Sequence, residues 1–121
     1  MRDIKFRAYI HGKMWNVIEW NFDSQTVGRQ DILLRDGEGN ELRELLKNLE
    51  LMQYTGLKDT NGKEVYESTI LRSPEGNKVV IQWNNPQAEF TDEYGNPLHL
   101  LLDSLYGVIG NMYENPELLH T

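Results

Sequence analysis

One stretch in the middle of the chain, residues 49–71, constrains the fold more than any other. It reads LELMQYTGLKDTNGKEVYESTIL, in which two short apolar runs flank a polar segment. Gly56 ends the first run, which predicts a positive φ or a close approach that a Cβ would block. Asn61 and Gly62 tolerate the left-handed conformation that tight hairpins need. The stretch therefore predicts two strands joined by a hairpin turn.

Alternation of apolar and polar residues predicts another hairpin near the N-terminus. Residues 4–10 and 14–22 both alternate with period two, and a His-Gly-Lys turn separates them. In the returning strand, the residues expected to share one face are Ile18, Trp20 and Phe22. Each strand is expected to be half-buried, with one face toward a core.

The same signals predict a further hairpin and a last strand. Residues 70–72 and 79–83 flank a turn that contains Pro and Gly, so they are expected to pair. Residues 106–111 predict a final buried strand, in which Gly110 allows another backbone to approach closely. Residues 89–97 are polar and are expected to form a turn-rich loop.

A single short helix is predicted, over residues 40–48. Leu42, Leu45 and Leu46 recur at the spacing that places them on one helical face. This stripe either packs on the protein's own sheet or binds a partner, and periodicity alone does not separate the two. Residues 28–40, which precede the helix, are expected to loop over the surface.

These elements together favour a mainly β fold. Short strands at close spacing with one short helix predict a small barrel or strongly bent antiparallel sheets. Residues 66–83 are similar to the paired strands of an SH3-like barrel, an analogy that concerns the fold alone. A length of 121 residues without a linker or repeat predicts one domain over residues 1–121.

Three blocks of sequence carry a resemblance to a known family. MRDIKFRAY at the start, MQYTGLKDTNGKEVYE in the middle and VIGNMYENPELL near the end resemble the YopX family of phage and prophage proteins of Gram-positive bacteria. The resemblance implies a phage origin and a largely β fold, and it brings no established biochemical activity. Where the family usually has Gly-Asp, this chain has Ser68 and Thr69, which leaves open whether a glycine bend or an acidic side chain acts there.

Composition limits the classes of function. The net charge is −7, and residues 68–121 carry two basic and seven acidic side chains, which disfavours general nucleic-acid binding. The absence of cysteine excludes disulfides and thiolate metal sites and fits a reducing cytoplasm. The opening MRDIKFRAYI resembles neither a signal peptide nor a membrane span, so we expect a protein of the host bacterial cytoplasm that makes no membrane contact.

No pattern predicts catalysis, a cofactor or a metal. The histidines are scattered, and the acidic segment at residues 36–40 lacks the spacing of a calcium loop. Glu64 and Glu67 could approach each other or Asp59 across a turn, although solvated hairpin residues are the simpler interpretation.

Two surfaces are candidates for binding. The leucine stripe and the aromatic residues favour a non-enzymatic phage accessory protein that binds an unknown host or phage protein or assembles with itself. The alternative is weak nucleic-acid binding by a small-barrel protein that acts in phage replication or regulation. Its candidate residues are Lys5, Arg7 and Tyr9, which share a strand face that is expected to lie near Trp15.

Overall fold

The computed structural model describes residues 5–22 and 30–119, which fold mainly as antiparallel strands. The strands are β1 (Phe6–Ile10), β2 (Lys13–Phe22), β3 (Gln30–Arg35), β4 (Glu41–Leu45), β5 (Glu50–Lys58), β6 (Glu64–Tyr66), β7 (Thr69–Arg72), β8 (Lys78–Val80), β9 (Gln82–Asn84), β10 (Glu89–Thr91) and β11 (Gly107–Asn111). One α-helix, α1 (Leu98–Asp103), and 3-10 turns at Leu46–Asn48 and Pro116–Leu119 complete the described elements. The predicted mainly β class is confirmed in its bent-sheet form, because no sheet of the described residues closes into a barrel.

The chain divides into two compact units, Lys5–Gln53 and the residues from Tyr54 onward. Strand β5 contributes to both, because its first residues pair with β1 and its later residues pair with β6. We refer to them as the N-terminal and the C-terminal unit.

The N-terminal unit is an antiparallel sheet with the order β4-β3-β2-β1-β5. A two-residue turn joins β1 to β2, and both of its residues, His11 and Gly12, have positive φ, as a type I′ hairpin requires. The core beneath the sheet is formed by Ala8, Trp15, Ile32 and Leu34. The N-terminal hairpin was predictable because alternation and turn chemistry agree.

The prediction that Ile18, Trp20 and Phe22 share a face is wrong for Ile18. A β-bulge shifts the register of β2 against β3 between Val17 and Glu19. Val17 therefore packs against the core while Ile18 is exposed, since an inserted residue turns the following side chains to the other face. Phe22 ends β2, and its side chain lies outside the described residues.

The predicted loop at residues 28–40 is correct only for residues 36–40, and the predicted helix at residues 40–48 is wrong. Residues 23–29 lie outside the described chain, but β3 follows them and buries Ile32 and Leu34 completely. Strand β4 and one 3-10 turn stand where the helix was expected. Pairing with β3 extends this segment, because tertiary context overrides helical spacing in so short a window.

The C-terminal unit contains a three-stranded sheet, β11-β7-β8, and a two-stranded sheet, β10-β9. Strands β7 and β8 form the predicted hairpin, with Leu71 opposite Val79, but the strand predicted over residues 79–83 is divided between β8 and β9, which belong to different sheets. The core beneath them includes Leu98 and Leu101 of α1. The predicted loop at residues 89–97 is wrong in part, because β10 occupies its start and buries Phe90.

Strand β11 confirms the predicted last strand but not its full burial. It pairs with β7, and Ile109 is more than one-third exposed. The 3-10 turn that follows leaves Leu118 half-buried and Leu119 exposed. These two leucines therefore lie at the surface of the C-terminal unit, where they line the groove described below.

Four loops of the described chain share one hydrogen-bond pattern. They are residues 36–40, 59–63, 73–77 and 92–96. In each, the first side chain, an Asp or a Ser, accepts a bond of 2.8–3.0 Å from the backbone N–H of the fifth residue. The fourth residue is a glycine with φ between +83° and +100°, as in a turn that ends in a left-handed residue. Three of these loops join paired strands and fix their register, whereas the loop at residues 92–96 joins β10 to the segment before α1.

Candidate binding groove

Two basic residues lie directly opposite each other on the β7-β8 hairpin. Arg72 pairs with Lys78, next to the backbone hydrogen bond from Ser73 N to Asn77 O. Antiparallel pairs alternate along a hairpin, so the Arg72–Lys78 pair is a non-hydrogen-bonded one, in which side chains lie closest. Like charges directly opposite each other at such positions are unfavourable in a sheet.

Both basic side chains line an open groove of about 930 Å³ in the C-terminal unit. The other side chains that line the groove are Asn77, Val80, Glu93, Tyr94, Ile109, Leu118 and Leu119. Tyr94 is 78% exposed, which is the largest exposure among the large apolar and aromatic side chains described. The groove therefore combines two cations, one carboxylate, an exposed aromatic ring and aliphatic surface.

The polar groups of the groove differ in how they are bound. Lys78 Nζ donates a 2.9 Å hydrogen bond to the Leu118 carbonyl. The Glu93 carboxylate accepts one of 3.2 Å from Val80 N, at the edge of the sheet. The Arg72 guanidinium forms no ion pair with any residue in the described ranges. Among the described residues, Arg72 is therefore the cation of this groove that has no ion pair.

A second, smaller pocket of about 310 Å³ lies elsewhere in the same unit. Trp83 and Leu57 line it and are both partly exposed. The Trp83 ring meets Phe90 edge to face, with centroids 5.0 Å apart. Its lining is mostly apolar, and it offers no charge pattern comparable to the groove.

The structure separates the predicted nucleic-acid residues from their expected aromatic neighbour. Lys5, Arg7 and Tyr9 are half-buried, and each already has a polar or ring contact within the chain. Trp15 lies opposite Ala8 and is buried in the core, so it faces away from Arg7 and Tyr9. The predicted proximity to Trp15 is wrong, because one residue of register exchanges the two faces of a strand.

The predicted leucine stripe does not exist as a helical face. Leu42 and Leu45 belong to β4, and Leu46 begins the 3-10 turn. Leu42 lies opposite Leu34, and both Leu42 and Leu46 pack against the core of the N-terminal unit. Leu45 is half-buried on the same strand.

The predicted structural residues occupy special backbone positions. Gly56 has φ +88° within an irregular part of β5, and the Thr55 hydroxyl accepts a bond from Leu57 N across it. Gly62 has φ +83° in the loop at residues 59–63, where Asn61 N donates to Asp59. Gly110 has no positive φ.

At Gly110 the close approach comes from a side chain and not from another backbone. A Cβ on this residue would lie 2.7 Å from Asn115 Cγ. The Asn115 side chain is held there by a 3.2 Å bond from Asn111 N to its Oδ1. The glycine therefore makes room for the end of the 111–115 turn.

The buried carboxylates of the described residues hold loops together. Asp36 accepts bonds from Lys13 Nζ at 2.6 Å and from the backbone of its own loop, and the lysine first of all holds its pKa well below the usual range. Burial acts to raise the pKa of Asp59, but backbone N–H donors, Val108 first, outweigh it and lower the pKa. The Asn48 amide and the Leu45 N–H lower the pKa of Glu44.

The remaining candidate acids do not assemble into a metal-binding group. Within residues 5–22 and 30–119 no three His, Asp or Glu side chains are placed to hold a metal ion. Glu64 lies 3.5 Å from the Tyr66 hydroxyl, and Glu67 is half-buried after β6. The described part of the chain also has no helix of the length and apolarity needed to cross a lipid bilayer.

The groove is the feature that the sequence interpretation missed. One signal for it was present, since Arg72 and Lys78 are the two basic residues of positions 68–121. The closing pair Ser73 and Asn77 would have placed them opposite each other, because the hairpin register follows from the turn. The contributions of Tyr94, Leu118 and Leu119 depend on tertiary structure.

The fold is that of a small antiparallel β protein, with an open groove that holds Arg72 and Lys78 beside Glu93. The chain belongs to the YopX family, whose profile, described as "YopX protein", matches residues 5–120. Among solved structures it is similar to the crystal structure of protein EF1440 from Enterococcus faecalis, with 25% identity and a TM-score of 0.66. That match covers 98% of this chain and 99% of the other. No curated protein matches this chain.

Proposed function

We propose that this YopX-family protein is a non-enzymatic accessory protein of a phage or prophage that binds another protein through the groove of Arg72 and Lys78. Its place of action is the host cytoplasm. The observation that carries the proposal is the Arg72–Lys78 pair, in which two like charges lie opposite each other and line one groove. A pair that costs stability is expected where a ligand offsets the cost.

The aliphatic lining favours a protein as the ligand. Val80, Ile109, Leu118 and Leu119 provide apolar surface around the cations, and Tyr94 provides an exposed ring. Tyrosine and arginine are enriched at the energetic centres of protein interfaces. A second copy of this chain is one such protein, so self-assembly belongs to the same proposal.

The use of the buried carboxylates supports a binding role over a catalytic one. Asp36, Asp59 and Asp92 each accept bonds from backbone N–H groups of their own loops. Their lone pairs are thus engaged in holding turns. Glu64 begins β6, and Glu67 follows its last residue, Tyr66.

One arrangement favours the alternative, binding of single-stranded nucleic acid. An exposed Tyr94 beside two basic residues could stack on a base while the cations contact phosphate. The net charge of −7 and the aliphatic lining oppose this alternative.

Site-specific photo-crosslinking in the expressing bacterium tests the proposal. A photo-reactive phenylalanine analogue replaces Tyr94 in one variant and the exposed Asn16 of β2 in a matched control. We expect a nuclease-resistant, protease-sensitive adduct from position 94, little from position 16, and loss of the adduct when Arg72→Glu is added. Equal adducts from both positions, or no adduct from position 94, would refute binding through the groove, and a nuclease-sensitive adduct would establish the alternative.

A further inference from the structure

Resting on the proposed function, we propose that the groove accepts an extended, acidic peptide segment, whose carboxylate binds Arg72 and whose apolar side chains pack on Val80 and Ile109. This assigns the chemistry of the partner, and three features of the groove carry it.

Charge complementarity is the first. Arg72 presents a planar fork of N–H donors that matches a carboxylate with two parallel hydrogen bonds, and it forms no ion pair within the described chain. Lys78 lies directly opposite and adds a second positive charge. A carboxylate between these two residues would replace a repulsive pair by two attractive ones.

The second feature is the acidity of the surrounding sequence. Residues 68–121 carry seven acidic side chains against these two basic ones. An acidic partner is repelled by these acids and attracted where Arg72 and Lys78 outnumber Glu93, so electrostatics favour docking at the groove. A basic partner would instead find many acidic sites of similar strength and would have no reason to choose this groove.

The third feature is the alternation of surface chemistry within the groove. On β8, the basic Lys78 and the aliphatic Val80 share one face, and Ile109 of the same sheet also lines the groove. An extended peptide places every second side chain on one face, with a spacing that matches a neighbouring strand. A segment that alternates acidic and apolar residues on that face therefore meets cation and aliphatic surface in turn.

Fluorescence anisotropy with defined probes tests this assignment. The probes are short labelled peptides, blocked at both termini, in which Val alternates with Glu, Gln or Lys, together with a labelled oligothymidylate and with inorganic phosphate as competitor. We expect the Glu peptide to bind, the Gln peptide to bind at least about tenfold more weakly and the Lys peptide not to bind. Phosphate at millimolar concentration should compete weakly.

Matched variants locate the binding. Arg72→Gln should weaken the Glu peptide by about tenfold or more, whereas Lys58→Gln, which changes net charge equally in the same unit but outside the groove, should leave it unchanged. Equal affinity for the Glu and Gln peptides, equal effects of the two variants, no binding of the Glu peptide, or preference for the oligonucleotide would each overturn the assignment.

The experiments distinguish a failure of the proposed function from a failure of the acidic-peptide assignment. A protein adduct at position 94 combined with no preference for the Glu peptide would keep the groove as a protein-binding site and refute its acidic ligand. Absence of that adduct in cells would refute the proposed function, whatever the peptides do in solution.

Discussion

The side chain of Asp59 accepts a 2.9 Å hydrogen bond from the backbone N–H of Val108, 49 positions further along the chain. The same carboxylate closes its own hairpin by accepting bonds from Asn61 N and Lys63 N. One oxygen, Oδ1, serves the hairpin and the other, Oδ2, serves β11. Asp59 thus couples a local turn to the edge of the β11-β7-β8 sheet.

The separate hydrogen bonds of the two Asp59 oxygens predict the effect of Asp59→Asn. The variant keeps one acceptor for the hairpin, but its amide group places N–H donors against Val108 N–H. We expect a loss of about 1.5–3 kcal/mol in the free energy of unfolding, the usual contribution of a hydrogen bond to a charged group. Urea unfolding measures the loss, and hydrogen exchange should show faster exchange at Val108.

Asp92→Asn provides the matched control for that variant. Asp92 holds an equivalent loop, but its second oxygen accepts from the Asn96 side chain, which can rotate its amide to suit the new partner. We expect a loss well below that of Asp59→Asn. Equal losses for both variants would show that the bond to Val108 contributes nothing measurable.

The lowered carboxyl pKa values predict acid sensitivity. Asp36 and Asp59 have folded pKa values below their ordinary value of 3.8. Their contribution to stability is therefore complete above that pH and is lost as the pH falls through the folded pKa values. We expect a melting temperature that is nearly constant from pH 7 to about 5 and falls below about pH 4.

A variant can test how much of this fall in melting temperature below about pH 4 comes from the ion pair of Asp36 with Lys13. Asp36→Asn removes the titrating group, so its melting temperature should be lower at pH 7 and should fall less steeply below about pH 4. Glu38 is exposed in the same loop, so Glu38→Gln should leave the pH dependence of the melting temperature as it is in the wild type. An unchanged slope in Asp36→Asn would contradict the assignment.

The hairpins could be predicted from sequence because two independent signals agree there. Around Asn61 and Gly62, short apolar runs identify the strands and turn chemistry identifies the hairpin. The segment 40–48 failed because its leucine spacing fits a helical face and also fits a strand followed by one turn. Only the pairing of β4 with β3 decides between them, and that pairing is not local.

The register of β2 and the groove could not be predicted from sequence, for a different reason. The bulge at Ile18 leaves no sequence signal, yet it exchanges the faces of every residue after it. In the groove, Arg72 and Lys78 follow from one hairpin, whereas Tyr94 comes from another loop and Leu118 from the C-terminal turn. Side chains brought together from separate elements cannot be grouped by spacing.

Ser68 carries a strain that a glycine would remove. It has φ +69° between β6 and β7, where the family usually has glycine, so the bend is retained without that residue. The Thr69 hydroxyl accepts a 3.0 Å bond from Tyr66 N, as a carboxylate at that position could. Ser68→Gly should therefore raise the free energy of unfolding by about 0.5–1 kcal/mol. The variant removes the strain of a left-handed serine, and the greater conformational entropy of glycine in the unfolded chain offsets part of that gain.

The control for Ser68→Gly is the same substitution where φ is negative. Ser104 follows α1 with φ −91°, so Ser104→Gly gains no relief of strain and should be neutral or slightly destabilising. Thermal unfolding of both variants checks the pair. A destabilised Ser68→Gly protein would mean that the serine side chain stabilises the bend by more than its backbone strain costs.

The contact between Gly110 and Asn115 predicts a coupled pair of substitutions. A Cβ in Gly110→Ala would overlap the Asn115 side chain and break its bond to Asn111 N, so we expect a loss of about 1–3 kcal/mol. In an Asn115→Ala background the space is already empty, and the same change should cost much less. The coupling free energy from the double-mutant cycle measures the overlap directly. Additive losses would place the cost of the alanine in the β11 backbone and not in the contact with Asn115.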